Sequence, residues 1–217
     1  MVLHKTTVSD TLWNFLMTLM HQEELKDFRL VGGTSLSLQL GHRMSVDIDL
    51  FTDLLYDSID FNTIDQLMKS LFPIVQEGSG GNNSMGKTYF VGISEENLVK
   101  IDLFYTDQFV YPVIDVEGIR ISGKEEIAAM KLEIVGYGGR KKDFWDIHEL
   151  LDHFSISDMI SFHKKRHPYS HTKEHLISMM TNFELAEDDF NPKCLRNKHW
   201  ELIKLAFVEL ITNEFHR

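Results

Sequence analysis

The sequence contains a single cysteine, Cys194, among its 217 residues. One cysteine excludes an intrachain disulfide and fits a reducing compartment. The chain also lacks an apolar run long enough to span a bilayer, and its N-terminus lacks the basic stretch and apolar run of a signal peptide. We therefore expect a cytoplasmic protein that has no membrane as a partner.

Positive charge is also scarce, because 22 lysines and arginines stand against 33 aspartates and glutamates. The net charge of −11 repels nucleic acid from most of the surface, so an RNA or DNA substrate would need a local basic patch. Residues 140–142 and residues 164–166 are two short basic candidates. Both also suit solvated loops or helix ends. We favour that interpretation for the second patch and leave the first open.

The order of the sequence patterns predicts an α+β fold. Hydrophobic residues make up 43% of the chain, which is enough for a sizeable core in one large domain or in a core domain with an appendage. Apolar spacing predicts a helix capped by Ser9 or Asp10 and further helices at residues 34–40 and 61–71. Predicted strands cover residues 28–31, 46–51, 89–93 and 98–105, and residues 78–84 are predicted as a flexible loop.

The pattern changes near residue 120. Ser122-Gly123-Lys124-Glu125 has the spacing of a capping box and predicts a helix that continues to about Val135. Everything after it has the pattern of helices joined by loops. We therefore predict a mixed core at residues 1–120 and a helical C-terminal part at residues 121–217.

Asp47-Ile48-Asp49-Leu50 is the most informative segment of the chain. On a strand, alternate side chains share a face, so the two carboxylates lie together while the apolar pair packs into the core. Neighbouring carboxylates repel each other unless a cation lies between them, and such hard oxygen ligands suit Mg²⁺. An isolated pair of this kind is more often one solvated face of an edge strand, so the interpretation depends on its neighbours.

One such neighbour is Gly32-Gly33-Thr34-Ser35, which follows a predicted strand and begins a predicted helix. Glycines let a backbone approach a phosphate closely, and the free amides of a helix N-terminus favour anions. Because Gly-Gly turns are common, this segment alone is a weak signal for a phosphate site.

A second neighbour is Asp102, which lies on a predicted strand with Ile101 and Leu103 on the opposite face. If that strand is adjacent to the first, three carboxylates meet, and three carboxylates can hold two metal ions about 3.5–4 Å apart. The alternative is an exposed residue of a strand, and the sequence favours neither.

A third neighbour is Lys131, which lies in an apolar helical stripe with Ile127, Ala128, Ile134 and Val135. An ammonium group in such a stripe needs a partner if it is buried. We favour a side chain that reaches phosphates or carboxylates over one that extends along the helix to solvent.

Together these residues resemble the active-site pattern of the DNA polymerase β-type nucleotidyltransferase superfamily. The closer resemblance is to the AbiEii/AbiGii-type nucleotidyltransferase toxins of bacterial toxin–antitoxin systems. It covers residues 30–151 and rests on three segments. These are Val31-Gly32-Gly33-Thr34-Ser35-Leu36, His42-Arg43-Met44-Ser45-Val46-Asp47-Ile48-Asp49-Leu50-Phe51, and Lys131-Leu132-Glu133 through Arg140-Lys141-Lys142-Asp143-Phe144-Trp145-Asp146.

The resemblance implies a nucleotidyltransferase fold, with a small mixed sheet flanked by helices and a helical C-terminal part. It implies Mg²⁺, with a two-ion site possible, and an NTP as substrate. Asp47, Asp49 and Asp102 would bind metal, and Asp102 would alternatively accept the proton of the attacking hydroxyl. The residues implied to contact nucleotide or support the site are Gly32, Gly33, Thr34, Ser35, Arg43, Lys131, Asp143 and Asp146. Taken by itself, Asp143 is well placed as the N-cap of the helix that bears Ile147 and Leu151, which is a strong alternative. For Arg43, a surface position is an equal alternative.

The implied reaction moves an NMP from an NTP to a hydroxyl of RNA or protein, and a cognate antitoxin is an implied partner. Two alternatives remain: an inactive binding module of the same fold, and a metal phosphohydrolase. The histidine pairs at i, i+4 are 163 with 167 and 171 with 175. Although this spacing can bind zinc, we interpret all four as surface residues because Pro168 interrupts the region.

Overall fold

A computed structural model of the protein describes residues 1–215. Its centre is one mixed seven-stranded sheet with the strand order β3-β4-β5-β2-β1-β7-β6. The strands are β1 (Arg29–Leu30), β2 (Asp47–Thr52), β3 (Ile74–Gly80), β4 (Gly86–Gly92), β5 (Leu98–Tyr105), β6 (Val113–Val116) and β7 (Ile119–Ser122). β2 runs parallel to β5 and antiparallel to β1, and β1 runs parallel to β7.

Eight α-helices accompany the sheet in the described part of the chain. They are α1 (Asp10–Met20), α2 (Gly32–Leu40), α3 (Phe61–Leu71), α4 (Lys124–Gly136), α5 (Lys141–Leu150), α6 (Ile156–Arg166), α7 (Lys173–Met179) and α8 (Trp200–Phe215). Ser9 is the N-cap of α1, because its side chain accepts a hydrogen bond from the amide of Leu12 at 3.1 Å. Gly41 ends α2 in the left-handed conformation, with φ of +71°. The predicted α+β fold with a mixed sheet flanked by helices is therefore confirmed.

Helices α1 and α3 pack against the centre of one face of the sheet. Ile48 and Leu50 of β2 and Ile101 and Leu103 of β5 are completely buried there. They belong to one apolar cluster with residues of α1 and α3. The strand alternation that buries these side chains turns their neighbours to the other face, where the acidic residues lie.

A second apolar cluster joins α4, α5, α6, α7 and α8. Its centre is aromatic: the rings of Trp145 and Trp200 stack at 6.4 Å, and Phe144 contacts Phe207 edge-on at 5.9 Å. Leu36 of α2 belongs to this cluster too, so α2 packs between the sheet and the helical part. The division into residues 1–120 and 121–217 stays a prediction, and its last two residues lie outside the described part.

Several local predictions were wrong. Residues 78–80 belong to β3 rather than to a loop, and β6 and β7 were not predicted. The capping box was also wrong, because Ser122 ends β7 and Gly123 is the N-cap of α4. Within residues 1–215, no helix combines the length and apolar character that crossing a bilayer requires.

Candidate active site

Three carboxylates gather on the opposite face of the sheet, which is partly open to solvent. Asp47 and Asp49 alternate along β2 with the buried residues Ile48 and Leu50. Asp102 of β5 is the register partner of Asp49 across the parallel β2–β5 pair. The residues that the sequence predicted to share a face are therefore neighbours in the sheet.

The environment of Asp49 disfavours its charge. Burial is the largest cause, followed by repulsion from Asp102 and Asp47, and together they raise the pKa of Asp49 to about 6. Lys100 and Lys131 act in the opposite direction. A bound divalent cation would relieve this repulsion, so the cluster has the electrostatics of a cation site.

The glycine turn at the start of α2 lies directly against these residues. Gly32 has φ of +66°, and a Cβ atom on it would lie 2.5 Å from Oδ2 of Asp49. A Cβ atom on Gly33 would lie 2.3 Å from Nη2 of Arg43. The two glycines thus leave room for the protein's own carboxylate and guanidinium groups, and this explains locally why neither position has a side chain.

The hydroxyls of Thr34 and Ser35 point inward. Thr34 is buried and donates to the backbone oxygen of Asp47, and Ser35 donates to the carbonyl of Ser122 at 3.1 Å. These bonds fix α2 to the first residue of β2 and to the last residue of β7. What this segment offers to an anion is therefore the backbone amides of the first turn of α2, which lack intrahelical acceptors.

Lys131 lies at the centre of a buried ionic network. Its ammonium group is 2.6 Å from Oδ1 of Asp143 and 2.7 Å from Oδ2 of Asp146. Burial lowers the pKa of Lys131, but Asp143 and Asp146 more than offset this, so its pKa is raised and it stays charged. The predicted reach toward carboxylates is therefore what the structure shows.

Asp146 also ties Arg43 and His42 into this network. Arg43 donates from Nε and Nη2 to the two carboxylate oxygens at 2.7 and 2.8 Å, and Nε2 of His42 lies 2.8 Å from Oδ1. Although burial raises the pKa of Asp146, Arg43 and Lys131 hold it well below its usual value. Arg43 is therefore a buried residue that joins the loop between α2 and β2 to α5, rather than a surface arginine.

Asp143 is not the N-cap of α5, because the helix begins one residue after Arg140. Asp143 occupies the third helical position, and its Oδ2 accepts from the backbone amide of Arg140 at 3.0 Å. Its other oxygen binds Lys131. One carboxylate thus fixes the start of α5 and the ammonium group beside the site.

A cleft of about 180 Å³ lies between the sheet face and α4 and α5. Its lining includes Gly32, Gly33, Arg43, Asp47, Asp49, Phe51, Met130, Lys131, Arg140, Lys142 and Asp143. Arg140 is 60% exposed at this cleft, so the first basic patch contributes positive charge to it. Larger cavities of about 430, 440 and 510 Å³ lie elsewhere, and the first of them shares only Ser45 with the lining of this cleft.

Asp102 lies beside this cleft and has two partners that the sequence analysis did not predict. Thr88 of β4 donates to its Oδ1 at 2.7 Å, and Lys100 of β5 forms an ion pair with its Oδ2. Lys100 precedes Asp102 by two positions, so period-2 spacing was a signal for it. Thr88 could not be found in this way, because its position depends on the β4–β5 register.

Within residues 1–215, no three His, Cys, Asp or Glu side chains converge closely enough to hold a metal ion by themselves. Asp47 and Asp49 nevertheless fit Mg²⁺, which binds through one or two carboxylates and takes its remaining ligands from water and phosphate. The donor set therefore fits a cation that completes its coordination with the substrate.

Two predictions about the helical part were wrong. His163 is 1% exposed rather than on the surface, and its Nε2 lies 2.7 Å from Oε2 of Glu133. Its ring also lies 5.2 Å from that of His167. In the second basic patch, Arg166 is buried and pairs with Glu126 rather than being solvated.

Comparison with known protein families gives a match that covers nearly the whole chain. The family described as "Nucleotidyl transferase AbiEii toxin, Type IV TA system" matches residues 14–213. The match extends well beyond residue 151, into the helices where the sequence showed no recognisable motif. An uncharacterized protein from Aquifex aeolicus strain VF5 is 30% identical over 134 residues, which are 58% of this chain and 58% of that protein.

Several solved structures share the fold, and two of them illustrate the likeness. MenT4, a nucleotidyltransferase toxin from Mycobacterium tuberculosis H37Rv, has a TM-score of 0.60 at 14% identity, over 93% of this chain and 82% of that one. JHP933 from Helicobacter pylori has a TM-score of 0.56 at 20% identity, over 96% and 95% of the two chains. At these identities the likeness concerns the arrangement of helices and strands.

Proposed function

Because this chain belongs to the AbiEii nucleotidyltransferase toxin family, we propose that it transfers an NMP from an NTP to a hydroxyl acceptor in a Mg²⁺-dependent reaction. The observation that carries this proposal is the position of Asp47 and Asp49 on one sheet face, with the carboxylate of Asp49 directly against the glycine turn of α2. Carboxylates for a cation and free amides for a phosphate thus meet at one point.

The residues of the site have separable roles in this proposal. Asp47 and Asp49 hold Mg²⁺, which when bound neutralises the charge that develops on the α-phosphate. The amides at Gly32, Gly33 and Thr34 hold phosphate oxygens. The acceptor oxygen attacks the α-phosphorus, the bond to the β-phosphate oxygen breaks, and pyrophosphate leaves. Asp102, in register with Asp49, receives the proton of the acceptor hydroxyl.

Lys131 supports this site from the side of α4. Its pairing with Asp143 and Asp146 holds a positive charge close enough to Asp49 to favour ionisation of that carboxylate. A direct contact between Lys131 and the triphosphate requires the ammonium group to exchange one carboxylate partner for phosphate. Arg43, which binds Asp146, keeps that carboxylate satisfied during such an exchange.

The size of the cleft bears on how an NTP binds. Its 180 Å³ is less than the roughly 300–1,000 Å³ of typical small-molecule pockets, so it suits the phosphates and the cation. The base and ribose then extend towards the open side. RNA and protein hydroxyls are both candidate acceptors, and a cognate antitoxin is a candidate partner.

Radiolabel transfer tests this proposal. The protein is incubated with each α-labelled NTP, Mg²⁺ and a cell lysate or total RNA, beside Asp47→Asn, Asp49→Asn and the surface control Asp152→Asn. We expect label in an RNA or protein band with the wild type and the control, and loss of at least about a hundredfold in the two site variants. Label that persists in both site variants would contradict the assignment.

Two further outcomes separate the alternatives. A metal phosphohydrolase releases labelled nucleotide or phosphate without labelling any acceptor. An inactive binding module shows no binding of Mg-NTP in isothermal titration.

A further inference from the structure

The third carboxylate of the candidate site, Asp102, already has a counter-ion within the protein. Asp102 accepts a hydrogen bond from Thr88 at 2.7 Å and forms an ion pair with Lys100 through its other oxygen. Both oxygens are therefore engaged, whereas Asp47 and Asp49 line the cleft. This difference divides the three carboxylates into an open pair and a closed third member.

The register of the sheet explains why Lys100 lies at this point. Across the parallel β2–β5 pair, Asp47 is opposite Lys100 and Asp49 is opposite Asp102. Since alternate residues share a face, these four side chains form a two-by-two array on the open face. The array has a net charge of −2 rather than the −3 of three carboxylates alone, because one of its corners is an ammonium group.

We propose that Lys100 is a built-in counter-ion that occupies Asp102, so that the free site binds one divalent cation, at Asp47 and Asp49, and admits a second only after Lys100 leaves. This inference rests on the proposed function, because it concerns the cations of the same reaction. It identifies Lys100 as a positioning residue that acts through Asp102.

The exposure of the pair lets it open during the reaction. Lys100 is 38% exposed and Asp102 is 17% exposed, and partly solvated ion pairs exchange partners at little free-energy cost. A lysine ammonium is a compact charge on a flexible stem, so the incoming triphosphate can attract it away from the carboxylate. Asp102 then becomes available for a proton or for a second cation only when substrate is bound.

Manganese binding tests this inference without any measurement of activity. Mn²⁺ alone is titrated into the protein and followed by electron paramagnetic resonance, with wild type, Lys100→Met and the control Lys69→Met. Lys69 pairs with Glu77 and lies on α3, which covers the opposite face of the sheet, so its loss removes an equal charge away from the site.

We expect one bound ion in the wild type and in Lys69→Met. In Lys100→Met, we expect a second ion and an affinity for the first that is about tenfold tighter, the order of effect of removing one unit charge beside a partly exposed site. Lys100→Arg keeps the charge and should bind one ion. Equal stoichiometry and affinity in wild type and Lys100→Met would overturn the inference.

Two further measurements keep the test informative. If Lys100→Met is unstable without metal, its melting temperature should rise more on addition of Mn²⁺ than that of the wild type, and an equal rise contradicts the inference. Asp49→Asn separates this inference from the proposed function, since undiminished Mn²⁺ binding in that variant would remove the cation site altogether. If Asp49→Asn loses Mn²⁺ binding while Lys100→Met binds Mn²⁺ as the wild type does, only the role of Lys100 would be overturned.

Discussion

At the scale of single residues, Asp49 shows a conflict between stability and the proposed chemistry. Its carboxylate is buried beside Asp102 and Asp47, and its pKa is raised from 3.8 to about 6. At neutral pH the folded protein therefore holds a charge that its surroundings disfavour. Such a cost persists where a group is needed in its ionised form to bind a cation.

The pH dependence of stability tests this conflict. Above pH 6, Asp49 is ionised in both states and destabilises the folded one, whereas below pH 3.8 it is protonated in both and the penalty is absent. We therefore expect Asp49→Asn to have a higher melting temperature than wild type in metal-free buffer at pH 7.5. The gain should shrink as the pH falls from 6 towards 4. A gain that stays constant over this range, or one shown equally by Asp152→Asn, would contradict the explanation.

Asp146 has the opposite character, because its charge stabilises the fold. It is completely buried and pairs with Lys131, Arg43 and His42. Asp146→Asn keeps the shape but leaves buried cations undercompensated, so we expect a loss of about 3–5 kcal/mol in the free energy of unfolding. Urea denaturation measures this, with the exposed Asp188→Asn as a control. A loss below about 1 kcal/mol would show that the network is not a main source of stability.

At the scale of elements, the helices and strands with the clearest spacing of apolar residues were the ones predicted correctly. α3 and β5 were predicted with the bounds that the structure has, because their apolar residues repeat at 3.6 and 2 positions. β3 and β6 carry no such signal, since most of their residues are exposed at or near the ends of the sheet. The prediction of Ser122 as an N-cap was wrong because this serine is the last residue of β7, one residue before Gly123, the actual N-cap of α4.

The same distinction applies to the site. Period-2 spacing placed Asp47 and Asp49 together, since both lie on one strand. The contact of Asp102 with Thr88 depends on strand register, and the contacts of Lys131 depend on the packing of α4 against α5, so local patterns do not encode them. Whether the assigned residues act in catalysis stays a prediction.

The glycine turn gives a test at this scale. Gly32→Ala forces a side chain into a left-handed backbone position and against Oδ2 of Asp49. Gly118→Ala is a matched control, because Gly118 has φ of +81° but its Cβ atom would meet only Met17 at 4.0 Å. We expect both to lose about 1 kcal/mol of stability from the backbone conformation. Only Gly32→Ala should also weaken Mn²⁺ binding, by about tenfold or more, as measured by isothermal titration.

Equal Mn²⁺ affinity in the two alanine variants would contradict the role of Gly32 at the cation site. The comparison is informative because both substitutions carry a similar backbone cost, so a difference in metal affinity reports the contact with Asp49.

At the scale of the whole molecule, the proposed reaction requires an acidic protein to attract an anionic substrate. The net charge is −11, but Arg140, Lys142 and Lys131 line the cleft. Burial is the main reason why the pKa of Lys142 is lowered, and the nearby charges of Arg140 and Lys131 act in the same direction. We therefore propose that the first basic patch, whose role the sequence left open, attracts the substrate to the cleft.

We expect Arg140→Gln to raise the KM for NTP about three- to tenfold with little change in kcat, because an exposed charge at the rim acts on association. The effect should diminish with added KCl. Steady-state kinetics at several salt concentrations measure it, with Lys165→Gln from the second basic patch as a control. A larger effect on kcat than on KM, or an equal effect of Lys165→Gln, would contradict a role in attracting substrate.

The most direct test of the central claim is the position of the cation relative to the triphosphate. Crystals grown with Mn²⁺ and a non-hydrolysable NTP analogue would locate the ion by its anomalous scattering. We predict an ion about 2.1–2.2 Å from oxygens of both Asp47 and Asp49, which also binds a phosphate oxygen of a nucleotide seated at the amides of Gly32 and Gly33. An ion elsewhere, or a triphosphate bound away from these glycines, would contradict the account.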